Sequence, residues 1–376
     1  MKLFQRLLVA PAALGLLSPI SANANEVNLN DISNYSDVEN IEFANSFNKD
    51  LPSDIPLLAG GEGLMDDHDV DSFSSTTSAS FSVDMAIGSV DGNADSEAIG
   101  TAYGYQIDLS SSFTGSDALS VSLDAGAGAA QLGELDLNSS GDGLIVDGIT
   151  YSFPVGDKLT VLVGDSTDGS ALYSTACVYG GFTNTLDDCG NFSSAFTSAT
   201  DGVSLSAAYD IGGGFTGALG YSGEGTGNGI MTTEGTDMFG GQLSYAADSY
   251  GASVTYANLD TATAWGLNGY YSFEGSFPSV SVGYEFTENE GGAADQTQWF
   301  TGLQWDEVGA GTLGAALGTK GPQADGGTEE MAYELFYSYP VNDYMTITPA
   351  VFILDNAASP GADDETGFVV KTSFSF

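Results

Sequence analysis

From Ser78 to Phe376, apolar and polar side chains alternate in short runs separated by clusters of Gly, Asp, Asn and Ser. Ala79, Phe81, Val83, Met85 and Ile87 interleave with Ser80, Ser82, Asp84 and Ala86; Val203, Leu205, Ala207 and Tyr209 interleave with Ser204, Ser206, Ala208 and Asp210. The same beat recurs in Val280–Phe286, in Ala332–Ser338 and in Phe368–Phe376. A period of two belongs to a strand whose two faces meet different surroundings. The pattern predicts sixteen strands, beginning near Ser78, Ile99, Ala118, Leu144, Lys158, Val203, Phe215, Met238, Tyr250, Ala264, Ser279, Gln298, Gly311, Met331, Met345 and Gly367. The chain reads as all-β.

Short and long connections alternate along it. Pro154–Asp157, Ile211–Gly214, Asp248–Ser249 and Pro340–Tyr344 are tight turns. Gly126–Gly143, Ser222–Thr236, Glu288–Thr297, Gly321–Glu330 and Asp355–Thr366 are longer, and Asp165–Gly202 between the fifth and sixth strands is longest. Outer-membrane barrels have such an arrangement, with short periplasmic turns and long external loops. The connection near Asp260–Thr263 breaks the rule, being short where a long one is expected. A soluble sandwich would alternate too, but two features separate the cases. Tyr209, Tyr221, Tyr245, Tyr271, Trp299, Trp305, Tyr333 and Tyr337 return on the apolar face near strand ends, as an interfacial girdle requires. The other face carries Ser, Thr, Gly, Asp and Gln, which suits a wetted lumen. The expected fold is a transmembrane antiparallel β-barrel of about sixteen strands over residues 77–376.

Composition narrows the function. Of 376 residues 51 are Asp or Glu, six are Lys or Arg and one is His. Nucleic acid is excluded as a partner, since phosphate-backbone binding needs clustered cations. Residues 1–24 read as a signal peptide, with Lys2 and Arg6 before a short apolar stretch and Ala22-Asn23-Ala24 as the cleavage signal. Its removal leaves four lysines and no arginine. Residues 25–76 read as an acidic, flexible segment in which Asp66, Asp67, Asp69 and Asp71 surround His68. Their spacing lacks the glycine and distal glutamate of an EF-hand loop, so no metal site and no cofactor are expected. No later stretch approaches 18 apolar residues, so no transmembrane helix is predicted. An enzyme is not expected either, because the sole histidine lies outside the barrel and acid–base hydrolysis there would lack its base.

The start MKLFQRLLVAPAALGLL, Thr232–Asp237, the stretch Asp248–Asn258, Gly302–Gly309, Tyr337–Asp343 and the end Val370–Phe376 resemble cyanobacterial outer-membrane porins. That family is grouped with carbohydrate-selective porins and often labelled an iron-uptake porin. The likeness covers the leader and most of residues 78–376. It implies an outer-membrane location, lipid around the wall, small hydrophilic solutes within it and a homotrimer. Members usually carry a surface-layer-homology domain and a coiled coil before the barrel, and residues 25–76 contain neither.

If apolar positions face lipid, then Asp84, Asp108, Asp124, Asp210, Glu285 and Glu334 face the lumen. Rings of carboxylates favour cations in a pore, so the expected function is passive diffusion of small solutes with cation preference, inorganic ions including iron among them. The alternatives are a carbohydrate-selective porin and a non-conducting structural or adhesive barrel. Lys371 falls on the lumen face, where pairing with carboxylates is expected. The Asp165–Gly202 loop exceeds ordinary hairpin length and is the candidate constriction, with Asp165, Asp168, Asp187, Asp188 and Asp201 along it. Cys177 and Cys189 in that loop are expected to form a disulfide in an oxidising compartment.

Overall fold

A computed structural model describes residues 77–375, apart from 136, 138–139, 196–201, 226–228 and 360. The expectations for the leader, for residues 25–76 with their His68 cluster, and for Asp201 therefore lie outside the described residues.

The strands are β1 (Thr77–Asp91), β2 (Gly100–Ser111), β3 (Ala118–Gly128), β4 (Ile145–Val155), β5 (Leu159–Asp165), β6 (Val203–Gly212), β7 (Phe215–Gly223) and β8 (Asp237–Ala246). They continue as β9 (Tyr250–Asn258), β10 (Ala262–Tyr271), β11 (Ser279–Asn289), β12 (Gln296–Val308), β13 (Gly311–Thr319), β14 (Gln323–Ala324), β15 (Met331–Asn342), β16 (Met345–Leu354) and β17 (Glu365–Ser375). Each of the sixteen long strands starts within two residues of its sequence-predicted position. The two-residue β14 only extends the start of β12, and β13 pairs directly with β15.

Neighbouring strands are antiparallel throughout, and β17 pairs back onto β1 with Val83 opposite Phe374, which closes the sheet. Closure removes free edges, so every wall strand finds its backbone partners within the sheet, as hydrocarbon surroundings demand. The alternation now has a meaning in space. On β1, Met85 and Ile87 point outward and are 53% and 52% exposed, while Ala86 and Val90 point inward and are buried. All eight predicted girdle aromatics share the outward register. They join longer bands, such as the ring contacts Phe215–Tyr245, Tyr245–Tyr250, Tyr250–Tyr271 and Tyr271–Phe273 at one end.

That end holds both barrel termini and the short turns, for example Gly213–Gly214, whose positive φ of 66° and 87° is one that L side chains rarely adopt. The opposite end holds the long loops, with the three-residue Leu259–Thr261 connection as the exception anticipated from sequence. It closes through a bond from the Leu259 N–H to the Ala262 carbonyl at 2.8 Å.

The turn between β2 and β3 is organised by one carboxylate. Asp117 Oδ1 accepts from Ser112 Oγ, the Phe113 and Thr114 N–H groups and Thr114 Oγ1, while Oδ2 accepts from the Tyr151 hydroxyl at 2.8 Å. Burial alone would push this carboxyl up, but the hydrogen bonds from Thr114, Tyr151 and Ser112 outweigh it and hold the pKa well below the ordinary 3.8. Such a group stabilises the fold fully above the ordinary value, and its contribution is lost as pH falls below it toward the depressed one. Asp117→Ala will lower the urea midpoint of the folded barrel at neutral pH, and the gap to the unaltered protein will narrow in strong acid. Urea titrations followed by tryptophan fluorescence at both pH values check this; equal midpoints at neutral pH would contradict it.

Candidate functional site

The inward face of the wall decides what can pass. On β6–β8, β10–β12 and β15 its polar side chains act as sockets for a loop. Residues 166–195 leave β5 and turn into the lumen, where an irregular backbone needs partners that no ladder supplies. The wall supplies them strand by strand. The Gly169 carbonyl accepts from Ser206 Oγ on β6 at 2.5 Å, and its N–H donates to Ser222 Oγ on β7 at 2.7 Å. The Ser174 N–H donates to Gln242 Oε1 on β8, Val178 and Tyr179 donate to Ser281 Oγ on β11, and Gly180 donates to Gln304 Oε1 on β12. Farther along, Asn268 Nδ2 on β10 holds the Cys189 carbonyl at 2.7 Å.

Two wall carboxylates clamp this loop. Glu334 on β15 accepts from the Tyr179 hydroxyl, the Phe182 and Thr183 N–H groups and Thr183 Oγ1, at 2.6–3.0 Å. Glu285 on β11 accepts from the Ser193 and Ser194 N–H groups at 2.6–2.9 Å. Both carboxylates are buried, 4% and 1% exposed, although both lie in the inward register. The loop also lies close against wall backbone: a Cβ on Gly220 would overlap the Gly169 carbonyl, and one on Gly283 would overlap the Cys189 carbonyl.

Between the clamps lies the short helix α1 (Asn184–Asp187), in a segment bounded by Cys177 and Cys189, which are joined as a disulfide. The polar-lumen expectation fails around this segment. Phe300, Phe336, Phe352, Val90 and Val369 point inward and bury Tyr179, Phe182 and Leu186, together with Leu132, Leu135 and Leu137 of the β3–β4 loop. The physical reason is that two loops fold inside the barrel and need an apolar seat. Lys371 also faces inward, but its Nζ lies 5.5 Å from the centroid of the Phe182 ring rather than against a carboxylate. That distance suits a cation–π contact.

On β1–β3 no such sockets are used at the carboxylates Asp84 and Asp108, which stay half-exposed. Asp108 stands opposite Ser80 and Ser122, Asp124 opposite Gln106, and Asp84 opposite Gly104, so the three carboxylates occupy successive inward rows. Asp108 Oδ1 accepts from Gln106 Nε2 at 2.8 Å and from Ser122 Oγ at 2.7 Å, which fixes its position. Asp124 is buried. Asp210 faces inward but sits exposed at the turn end, where it accepts from the Gly212 N–H at 2.8 Å.

The loop acids scatter. Asp165 ends β5 in the outward register with Val163, and so precedes the loop. Asp168 borders a polar cavity of about 450 Å³ with Ser122, Asp147, Thr150 and Ser166. Asp187 and Asp188 are exposed at the end of α1. Asp201 falls outside the described residues. Among the described residues no group of three or more His, Cys, Asp and Glu side chains could hold a metal ion.

The clamp is hidden in the sequence because Glu285 and Glu334 carry the same alternation as Asp84. The apolar seat does leave a trace: Leu335-Phe336-Tyr337 and Val351-Phe352-Ile353 are runs of three large apolar residues in which the middle one must face inward.

The family profile described as Gram-negative porin matches residues 63–350. A search of curated protein sequences gives no match. Among solved structures, OprB of Pseudomonas putida aligns with a TM-score of 0.61 at 11% identity, over 80% of this chain and 94% of that one. A triple mutant of the Rhodopseudomonas blastica porin aligns with a TM-score of 0.51 at 14% identity, over 80% of this chain and all of the other. At those identities the likeness is one of fold.

Proposed function

The chain belongs to the Gram-negative porin family, and on that premise we propose that it is a cation-preferring diffusion channel of the outer membrane. One observation carries the preference: the loops and their apolar seat line β6–β8, β10–β13, β15–β17 and the loop end of β1 and β2, while Asp84 and Asp108, farther toward the turn end, stay partly exposed on the inward face. Solutes then pass between the loop and a wall whose charged groups, Lys371 apart, are carboxylates, and a ladder of carboxylates lowers the energy of a cation relative to an anion. The residues do this without making or breaking bonds. Asp108, braced by Gln106 and Ser122, and Asp84 two inward rows away act on the passing ion. Asp168 and Asp147 add charge at the mouth. The Cys177–Cys189 disulfide holds the constricting segment together.

Inorganic cations, including iron, fit this wall and the resemblance to cyanobacterial iron-uptake porins. The carbohydrate reading is weaker, because the inward rings Phe300, Phe336 and Phe352 lie beneath the loops and cannot stack on a sugar. A homotrimer and a leader over residues 1–24 belong to the same proposal. Swelling of liposomes carrying the purified barrel, in neutral solutes of graded size, tests the channel itself. Swelling that falls off with solute size is expected; no swelling would leave a structural barrel.

A further inference from the structure

Glu334 belongs to the predicted set of charge-bearing lumen residues, yet its geometry gives it a different task. Each of its oxygens takes two donors, Oε1 from the Tyr179 hydroxyl and Phe182 N–H, Oε2 from the Thr183 N–H and hydroxyl. All four donors come from five consecutive residues of the loop, within the segment that the Cys177–Cys189 bond closes. We propose that this segment is a carboxylate receptor, and that Glu334 is its tethered ligand, a positioning residue that sets the width of the pore by holding the loop tip rather than by presenting charge to ions.

The inference rests on the channel reading above and extends it. Convergent backbone N–H groups and hydroxyls are the recurrent chemistry of carboxylate binding. A Glu side chain beyond its Cβ has the size and charge of acetate. Truncation at Cβ therefore leaves the receptor intact, vacant and open to that anion. Hydrogen bonds to a charged group are strong enough that losing the set shifts the latched-to-released ratio of the tip by at least about a hundredfold.

The test uses the full-length protein in planar bilayers with sodium chloride, then sodium acetate of equal ionic strength, each reading normalised to the unaltered protein in the same salt. Glu334→Ala is expected to show a higher-conductance state in chloride and to lose it in acetate, with a reversal potential equal to that of the unaltered protein. Unaltered traces in chloride would overturn the proposal, and so would a new state that acetate does not remove. A changed reversal potential at unchanged conductance would make Glu334 a selectivity residue and also overturn it. Should the alanine variant not assemble, Glu334→Gln keeps the side-chain volume and presents an amide to the four donors. Chymotrypsin cleavage at Tyr179 or Phe182 is then expected to exceed that of the unaltered barrel, and equal resistance would refute the latch. Absence of any channel in the unaltered protein would refute the channel reading instead, so the two failures are distinct.

Discussion

Replacing Gly283 with valine will drive the long loop off its seat and raise the single-channel conductance while the barrel still forms. Gly283 faces the lumen on β11, and Gly190 of the loop lies against its backbone, its own Cβ position 3.0 Å from the Gly283 carbonyl carbon. A side chain at Gly283 would overlap the Cys189 carbonyl and come within 2.8 Å of Asn268 Nδ2, the donor that holds that carbonyl. Backbone cannot rotate away as a flexible side chain can, so the loop has to lift. Overpacking of this kind costs about 1–3 kcal/mol, comparable with the net worth of the Asn268 bond that it breaks. Cys189 is covalently tied to Cys177, so the displacement reaches the segment held by Glu334. Valine itself favours strands, and the β10–β11–β12 ladder needs nothing from residue 283 beyond its backbone. Bilayer recordings of Gly283→Val beside Gly283→Ala check the graded effect; conductance equal to that of the unaltered protein in both would show that the loop does not constrict.

The second large effect is on ion preference. Joint replacement of Asp84 and Asp108 by asparagine will lower the cation-to-anion permeability ratio with little change in conductance at high salt. At ~8 Å in water a unit charge stabilises a monovalent cation and destabilises an anion by roughly 0.5 kcal/mol each, so two charges change the ratio by about 2 kcal/mol, about thirtyfold before screening. The Debye length is about 10 Å at 0.1 M and 3 Å at 1 M, so the difference between variant and unaltered protein should fade across that range. Asparagine keeps the shape of the side chain, and at residue 108 it can still accept from Ser122 Oγ. Reversal potentials at several salt concentrations check this. An unchanged ratio at low salt would return Asp84 and Asp108 to the status of solvated wall residues.

Much of the wall is legible in the amino-acid sequence alone. A membrane barrel places lipid on one face of every strand and a different medium on the other, so the period of two holds through most of the wall, broken by register shifts such as those at Pro340/Asn342 and Asp210/Gly212, and fixes strand starts to within two residues. The outward aromatics are legible for the same reason. Loop length exposes Asp165–Gly202 as unusual, although not where it goes. The roles of inward carboxylates are not legible, because Asp84 and Glu334 obey one pattern and differ only in whether a distant loop lands on them. That landing depends on contacts between residues 151 to 155 positions apart, such as Thr183 and Tyr179 with Glu334, which no local pattern encodes. Glycines carry a faint signal: Gly220 and Gly283 sit at inward positions of otherwise regular strands, where close backbone approach is a standard reason for glycine.

The central claim is that ions cross a lumen whose uncovered wall is acidic. Its most direct test is the reversal potential of the unaltered, purified protein in a planar bilayer across a potassium chloride gradient at low salt. A potential of the sign set by potassium, shrinking as both solutions are made more concentrated, is the predicted result. A potential near zero at low salt, or one of the sign set by chloride, would contradict it.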